Sequence, residues 1–211
     1  MIQHTKSNQS GFTLVELTLA MAFVSFILLF IVFAMIEIMG DYNKGIVVKE
    51  INQTARTIVE EMGRLSRSTD ASAINTSAQA EGRLCFGSVS YAWNVRGNEL
   101  DNKFTDNSLV GLVRVEDPAG SLCGLVSGSY PQIDRASAID LISDQVWVQN
   151  LNAQVSGNQK LVDIDLKLST AGDNRPTGVG PSGYICEGGK IGNFCAVAEF
   201  NTTVSTRNGG E

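Results

Sequence analysis

The sequence predicts an α+β protein in which one long N-terminal α-helix packs on an antiparallel β-sheet. Two observations carry this prediction. The 20 residues at 17–36 contain no charge, proline or glycine, and a helical spacing of apolar residues continues as far as Leu65. The remainder of the chain alternates short β-rich segments with clusters of Gly, Asn, Asp and Pro, which favours antiparallel strands joined by turns over helical crossovers.

The first part of the predicted helix is long enough to cross a membrane. A helix rises about 1.5 Å per residue, so residues 17–36 would span roughly 30 Å, the thickness of a hydrocarbon core. A buried core helix is the alternative, but such helices seldom stay apolar on all sides over this length. We therefore expect a transmembrane segment over 12–39.

The second part of the helix, over 40–65, has one apolar face and one charged face. Its apolar side chains recur at alternating spacings of three and four residues, as on a surface helix that covers a core. We expect this half to lie on a globular β-rich domain formed by 66–211. The recurring positions are Val48, Ile51, Ala55, Ile58, Met62 and Leu65.

The β-rich domain begins with a linker at 66–81 that is rich in Ser, Thr, Ala and Asn. Within 160–168, apolar residues alternate with Asp163, Asp165 and Lys167, so one face of this strand should meet the core and the other should meet solvent. The predicted strands are 83–95, 109–115, 144–155, 160–168 and 195–206.

Composition argues against several classes of function. The 211 residues carry a formal net charge of −6, so nucleic acid is not indicated as a partner. The single histidine, His4, lies before the apolar run, which leaves the rest of the chain without the base of a Ser-His-Asp site or a His-based zinc site. The G-x-G-x-x-G string at 178–183 has no helix signal after it. We expect no enzyme activity, no cofactor and no metal.

The cysteines predict disulfides. Cys85, Cys123, Cys186 and Cys195 all follow the apolar run, and no two have the short C-x2-C or C-x4-C spacing of a zinc site. Three pairings are possible for four cysteines. We favour Cys85 with Cys123 and Cys186 with Cys195, because the second pair encloses a Gly-rich stretch that can turn back easily.

The residues before the apolar run do not form an ordinary secretory signal. Such a signal is cut after its apolar region, whereas here the small residue Gly11 stands before it. The string Gly-Phe-Thr-Leu-Val-Glu at 11–16 resembles the processing site of type IV prepilins and of the pseudopilins of type II secretion. The resemblance covers about the first 30 residues.

This resemblance implies a leader peptide over 1–11, removed by a prepilin peptidase that cuts after Gly11 and methylates the new amino group of Phe12. It also implies that Glu16 serves filament assembly by attracting the Phe12 amino group of a neighbouring subunit. Physical reasoning separately marks Glu16, because a carboxylate at the edge of a membrane helix is costly unless it is paired. A position at the headgroups, aided by the helix dipole, is the simpler alternative.

Three functions follow from the resemblance. The first is a minor pilin of a type IV pilus-like filament, favoured by the length and the large β region. The second is a type II secretion pseudopilin. The residues at 200–204, followed by Arg207 and Asn208, resemble the C-terminal ends of some minor pilins and of J-type pseudopilins. The third is a membrane-anchored adhesin that uses pilin export. The implied partners are other pilin subunits, the prepilin peptidase, the pilus assembly platform and the cytoplasmic membrane, which a single helix crosses before the subunit enters an extracellular filament at the cell surface.

Overall fold

The architecture is α+β, with one long helix and antiparallel strands, so the predicted fold class is confirmed. The helix is α1 (Leu14–Ser68), and ten strands follow it within the described part of the chain. The chain divides into two compact units, Met1–Tyr42 and Asn43–Glu211. The computed structural model describes residues 13–95, 103–105, 111–158, 160–172, 175–180, 183–186 and 195–207.

Helix α1 is continuous because nothing in its sequence breaks it. It contains no proline, and the chain passes through Gly40 and Gly45 without leaving the helix. It ends at Ser68, three residues beyond the predicted end at Leu65. The predicted apolar face is mostly correct, but Val48 is 37% exposed and does not belong to the core. The buried residues of α1 are Ile51, Ala55, Ile58, Met62, Gly63 and Ser66.

The first sheet has five antiparallel strands in the order β1-β2-β3-β4-β5. The single strand predicted over 83–95 is wrong, because the chain turns at Gly87, which has a φ of 59°, and forms a hairpin. A side chain would be strained at this φ, which favours glycine. The strands are β1 (Ile74–Asn75), β2 (Arg83–Phe86), β3 (Val89–Trp93), β4 (Leu112–Glu116) and β5 (Ala138–Asp140).

A second sheet has three antiparallel strands, and a separate hairpin has two. The strands predicted over 144–155, 160–168 and 195–206 are present here, with ends shifted by at most two residues. The sheets are β10-β7-β6 and β8-β9. Their strands are β6 (Val146–Val155), β7 (Leu161–Thr170), β8 (Gly178–Gly180), β9 (Gly183–Ile185) and β10 (Val197–Ser205).

The outer face of β7 departs from its prediction at one position. Asp163 is exposed as expected, but Lys167 is only 6% exposed. The hairpin of β8 and β9 accounts for this, since a Cβ atom placed on Gly183 would lie 3.7 Å from the Lys167 Nζ. The G-x-G-x-x-G string overlaps this hairpin, and the described residues around it form strands and not a helix.

One apolar core joins α1 to both larger sheets. The buried face of the helix packs with the inward side chains of each sheet, and the rings of Phe86 and Tyr91 meet edge to face with centroids 6.0 Å apart. This arrangement covers the apolar face of each sheet. The core includes Leu84, Phe86, Tyr91, Trp93 and Leu112 from the first sheet and Val148, Leu151, Val162, Ile164, Leu166 and Leu168 from the second.

A polar contact fixes the helix on the first sheet. The hydroxyl of the buried Tyr91 donates a hydrogen bond to Glu61 of α1 at 3.1 Å, and the Arg114 guanidinium lies 3.0 Å from the same carboxylate oxygen. Burial and the charge of Glu61 raise the pKa of Tyr91 well above its ordinary value, so the hydroxyl keeps its proton. The contact therefore satisfies a buried hydroxyl that the core would otherwise leave unpaired.

Both disulfides favoured from the sequence are present. Cys85 in β2 pairs with Cys123 in a short 3-10 turn, and Cys186 after β9 pairs with Cys195 before β10. The carboxylate of Asp117 organises the turn that carries Cys123. It accepts backbone hydrogen bonds from Ser121 at 3.1 Å and from Leu122 at 2.8 Å.

The Asp117 carboxylate is 6% exposed and also accepts hydrogen bonds from the hydroxyls of Ser90 and Ser121. Burial by itself would raise the pKa of Asp117, but these hydrogen bonds lower it below its usual value overall. The folded protein is thus stabilised by the ionised form.

We expect the two disulfides to differ in their effect on stability. In the chain-entropy account, a bridge that closes a longer loop constrains the unfolded chain more. Replacing Cys85 and Cys123 by Ser, which opens a loop of 38 residues, should lower the free energy of unfolding by about 4 kcal/mol. The same change at Cys186 and Cys195, 9 residues apart, should cost about 3 kcal/mol. Denaturant unfolding of the detergent-solubilised chain measures both, and an equal or inverted order would contradict the expectation.

Asp117→Asn should destabilise the protein in a pH-dependent way. Because the pKa of Asp117 is lower in the folded than in the unfolded chain, its contribution is complete above the unfolded pKa of about 3.9 and is lost as the pH falls through the folded pKa. The variant should lose about 1 to 3 kcal/mol at pH 7 and progressively less below pH 4. Unfolding curves across pH test this, with Asp144→Asn on an exposed loop as the control. A pH-independent difference would contradict it.

Candidate membrane and assembly segment

The N-terminal part of α1 presents apolar side chains on every side. In the described residues of the unit Met1–Tyr42, the large apolar side chains are all exposed, for example Phe23 at 68% and Phe30 at 71%. The helix is long and apolar enough to cross a membrane, and none of its most apolar window is buried. Such a surface is unfavourable in water and favourable in hydrocarbon or against other apolar helices.

Residues 17–36 contain two polar side chains, those of Thr18 and Ser25, and both are satisfied within the helix itself. The Thr18 hydroxyl donates to the Val15 carbonyl at 3.0 Å, and the Ser25 hydroxyl donates to the Met21 carbonyl at 2.8 Å. A hydroxyl without a partner would be costly in hydrocarbon, and these bonds remove that cost. Residues 17–36 therefore suit an environment without water.

The N-terminal end of α1 is closed by a reciprocal pair of hydrogen bonds between Thr13 and Glu16. The Glu16 Oε2 atom accepts from the Thr13 backbone N–H at 2.9 Å and from its hydroxyl at 2.9 Å. The Glu16 N–H donates to the Thr13 hydroxyl oxygen at 3.3 Å. This is a capping box, in which a Thr and a Glu three residues later satisfy the free amide groups of a first helical turn.

The capping box gives Glu16 a partner inside its own chain. Only Oε2 takes part, and Oε1 makes no hydrogen bond to another described residue. The carboxylate is therefore held in a fixed direction by Thr13 with one oxygen open to a further donor. A carboxylate that is already fixed loses less conformational entropy on pairing with a cation than a freely rotating carboxylate does.

Thr13 was not among the predicted site residues, although the string at 13–16 fits the capping-box pattern. That pattern was the signal that could have found it. The predicted processing residues Gly11 and Phe12 lie outside the described residues. The four cysteines all belong to the unit Asn43–Glu211 and form no part of this segment.

Among the described residues, no group of three or more His, Cys, Asp or Glu side chains could hold a metal ion. Comparison of the chain with known proteins finds no matching family model, no matching curated protein and no matching solved structure.

Thr13→Ala should loosen the first turn of α1. The variant loses the side-chain bonds in both directions, and removing such a cap costs about 1 kcal/mol. In detergent micelles, amide hydrogen exchange at residues 14–17 should become about fivefold faster, because 1 kcal/mol corresponds to that ratio. Thr13→Ser keeps the hydroxyl and should exchange at the wild-type rate. Equal protection in the Ala and Ser variants would show that the hydroxyl does not hold the turn.

Proposed function

We propose that this protein is a structural subunit, of the minor pilin type, in a type IV pilus-like filament. In this function the chain is held in the cytoplasmic membrane by the first part of α1, is cleaved after Gly11 and is N-methylated at Phe12. The same helix then leaves the bilayer and packs against the helices of other pilin subunits in an extracellular filament.

The observation that carries the proposal is the position of Glu16 on an apolar helix. The carboxylate lies at the N-terminal end of a segment whose large apolar side chains are all exposed, and one of its oxygens has no partner among the described residues. In a membrane anchor alone the carboxylate would serve only to cap the first turn of α1, at the cost of an ionised group at the edge of hydrocarbon. A carboxylate at this position is useful if assembly brings a cation to it.

Cleavage after Gly11 would create that cation. It leaves an α-amino group on Phe12, four residues before Glu16, and a neighbouring subunit would bring the same group into an apolar bundle. Attraction between unlike charges is stronger in a medium of low dielectric constant than in water, so this pair should exceed the roughly 0 to 1 kcal/mol of an exposed salt bridge. The apolar surface of the helix and the Glu16 carboxylate would then both contribute to filament assembly.

Glu16→Ala should block assembly without blocking membrane insertion or cleavage. The variant makes the membrane segment more apolar and leaves the residues at Gly11 and Phe12 unchanged, so processed protein should collect in the membrane. Expressed with wild-type partner subunits, it should enter sheared filaments at least about tenfold less than wild type, the ratio given by 1.4 kcal/mol. Glu37→Ala, which removes an exposed carboxylate at the other end of the apolar run, is the matched control.

The measurement is shear fractionation beside membrane fractionation, with mass spectrometry of the N-terminus in each fraction. Mature protein should begin at Phe12 and carry one added methyl group. Wild-type recovery of Glu16→Ala in filaments would refute the pairing role, and Met1 retained on filament protein would refute processing. A loss of secreted proteins without a loss of surface fibres would assign the subunit to a secretion pseudopilus.

A further inference from the structure

The outward side of α1 in the unit Asn43–Glu211 carries a basic stripe, which we define as Lys49, Arg56, Arg64 and Arg67. Lys49, Arg56 and Arg67 are separated by 7 and 11 residues, so they lie on one side of the helix, and the stripe is about 27 Å long. All four cations are exposed, and none forms an ion pair with another described residue. One carboxylate, Glu60, lies among them, so the stripe has a net charge of about +3 in an acidic protein.

The outer side of the second sheet carries an acidic face, which we define as Asp163, Asp165 and Glu199. The register of β7 and β10 places Glu199 opposite Lys167, and the Lys167 Nζ lies 3.8 Å from the Glu199 carboxylate. Asp163 and Asp165 have no ion pair with another described residue. The Oδ1 atom of Asp165 is buried without a hydrogen-bond partner, and burial together with the charge of Glu199 raises the pKa of Asp165 above its usual value. Lys167 offsets part of this effect by lowering the pKa of Asp165, and with Lys167 included the face has a net charge of about −2.

The basic stripe and the acidic face cannot meet within one chain. Ile58 is nine residues from both Lys49 and Arg67, which is two and a half helical turns, and it is buried in the core. The stripe therefore points away from the core. Asp163 and Asp165 alternate with the core residue Ile164, so they point away from the same core on the other side of the sheet.

We propose that the basic stripe of one copy of this chain docks on the acidic face of a second copy, with Arg64 and Arg67 against Asp163 and Asp165. The spacings agree, since residues three apart on a helix and residues two apart on a strand are both about 5 to 7 Å apart. Because the two surfaces differ, each copy can use one surface toward each neighbour. Contacts of this kind repeat from copy to copy and build closed rings or open filaments, of which the filament agrees with the proposed function. The inference rests on the proposed function and adds a contact between the folded units to the contact between the apolar helices.

The test is a charge exchange in the full chain. Two copies with different tags are co-expressed and solubilised in mild detergent. The first copy is purified by its tag, and the amount of the second copy that co-purifies with it is measured. Arg64→Glu with Arg67→Glu should reduce its recovery about tenfold, and Asp163→Arg with Asp165→Arg should do the same, because each change sets like charges against each other. When both tagged copies carry all four substitutions, the amount of the second copy that co-purifies should be within about twofold of wild type, since both surfaces are then reversed together.

The control chain carries Lys44→Glu and Asp144→Lys, which reverse two exposed charges outside both surfaces, and it should behave as wild type. Restoration in the fourfold variant also excludes misfolding as the cause of the single-surface losses. Undiminished recovery of either single-surface variant, or no restoration in the fourfold variant, would overturn the inference. So would binding of the wild-type chain to double-stranded DNA that Arg64→Glu with Arg67→Glu abolishes while recovery of the second copy is unchanged.

These outcomes are separable from those of Glu16→Ala. If the charge exchange behaves as expected but no sheared filaments contain the protein, the contact between copies stands and the proposed function fails. If filaments form at wild-type level from either single-surface variant, the proposed function stands and this contact fails.

Discussion

Ile51, Ala55, Ile58 and Met62 of α1 pack in one cluster with the inward side chains of both larger sheets. The strands of the first sheet are only two to five residues long, and sheets of this size need an apolar layer against them to be stable. The helix supplies that layer for both sheets at once. The Glu61 contact with Tyr91 and the outward position of the basic stripe both depend on which face of this helix is buried.

The same helix meets two different surroundings along its length. Up to Met39 the large apolar side chains are exposed on all sides, whereas from Ile51 onward one face is buried and the opposite face is charged. No proline separates the two regions. A single regular element can therefore belong to a nonaqueous phase at one end and to a folded water-facing unit at the other, with the change made by side chains alone.

The sequence predicted the long elements well because their periodicity is strong. Residues 162–168 alternate strictly between apolar and charged side chains, and the ends of β7 were predicted to within two residues. The short strands were missed, because three residues such as those of β5 carry too little pattern and pair only where β4 supplies an edge. The turn at Gly87 was missed even though Gly87 and Ser88 form a two-residue loop between β-rich residues, which is a hairpin signal.

The candidate assembly site was predictable in part. Glu16 stood out because it is a charge beside an uncharged run, which a linear sequence displays directly. The spacing of Thr13 and Glu16 indicates the hydrogen bonds between them, but these bonds were not predicted. The burial of Lys167 could not be foreseen, because the hairpin that covers it lies more than ten residues away along the chain. Sequence patterns report local periodicity, whereas this burial depends on a tertiary contact.

The two disulfides also differ in how accessible they are to thiol exchange after the chain has folded. Thiol exchange requires a thiolate to approach a sulfur atom along the bond it will break. Cys85 and Cys123 are each 2% exposed, so the folded protein shields their bond from incoming thiols. Cys186 is half-buried. We therefore expect thiols to exchange with the second bridge of the folded protein more readily than with the first.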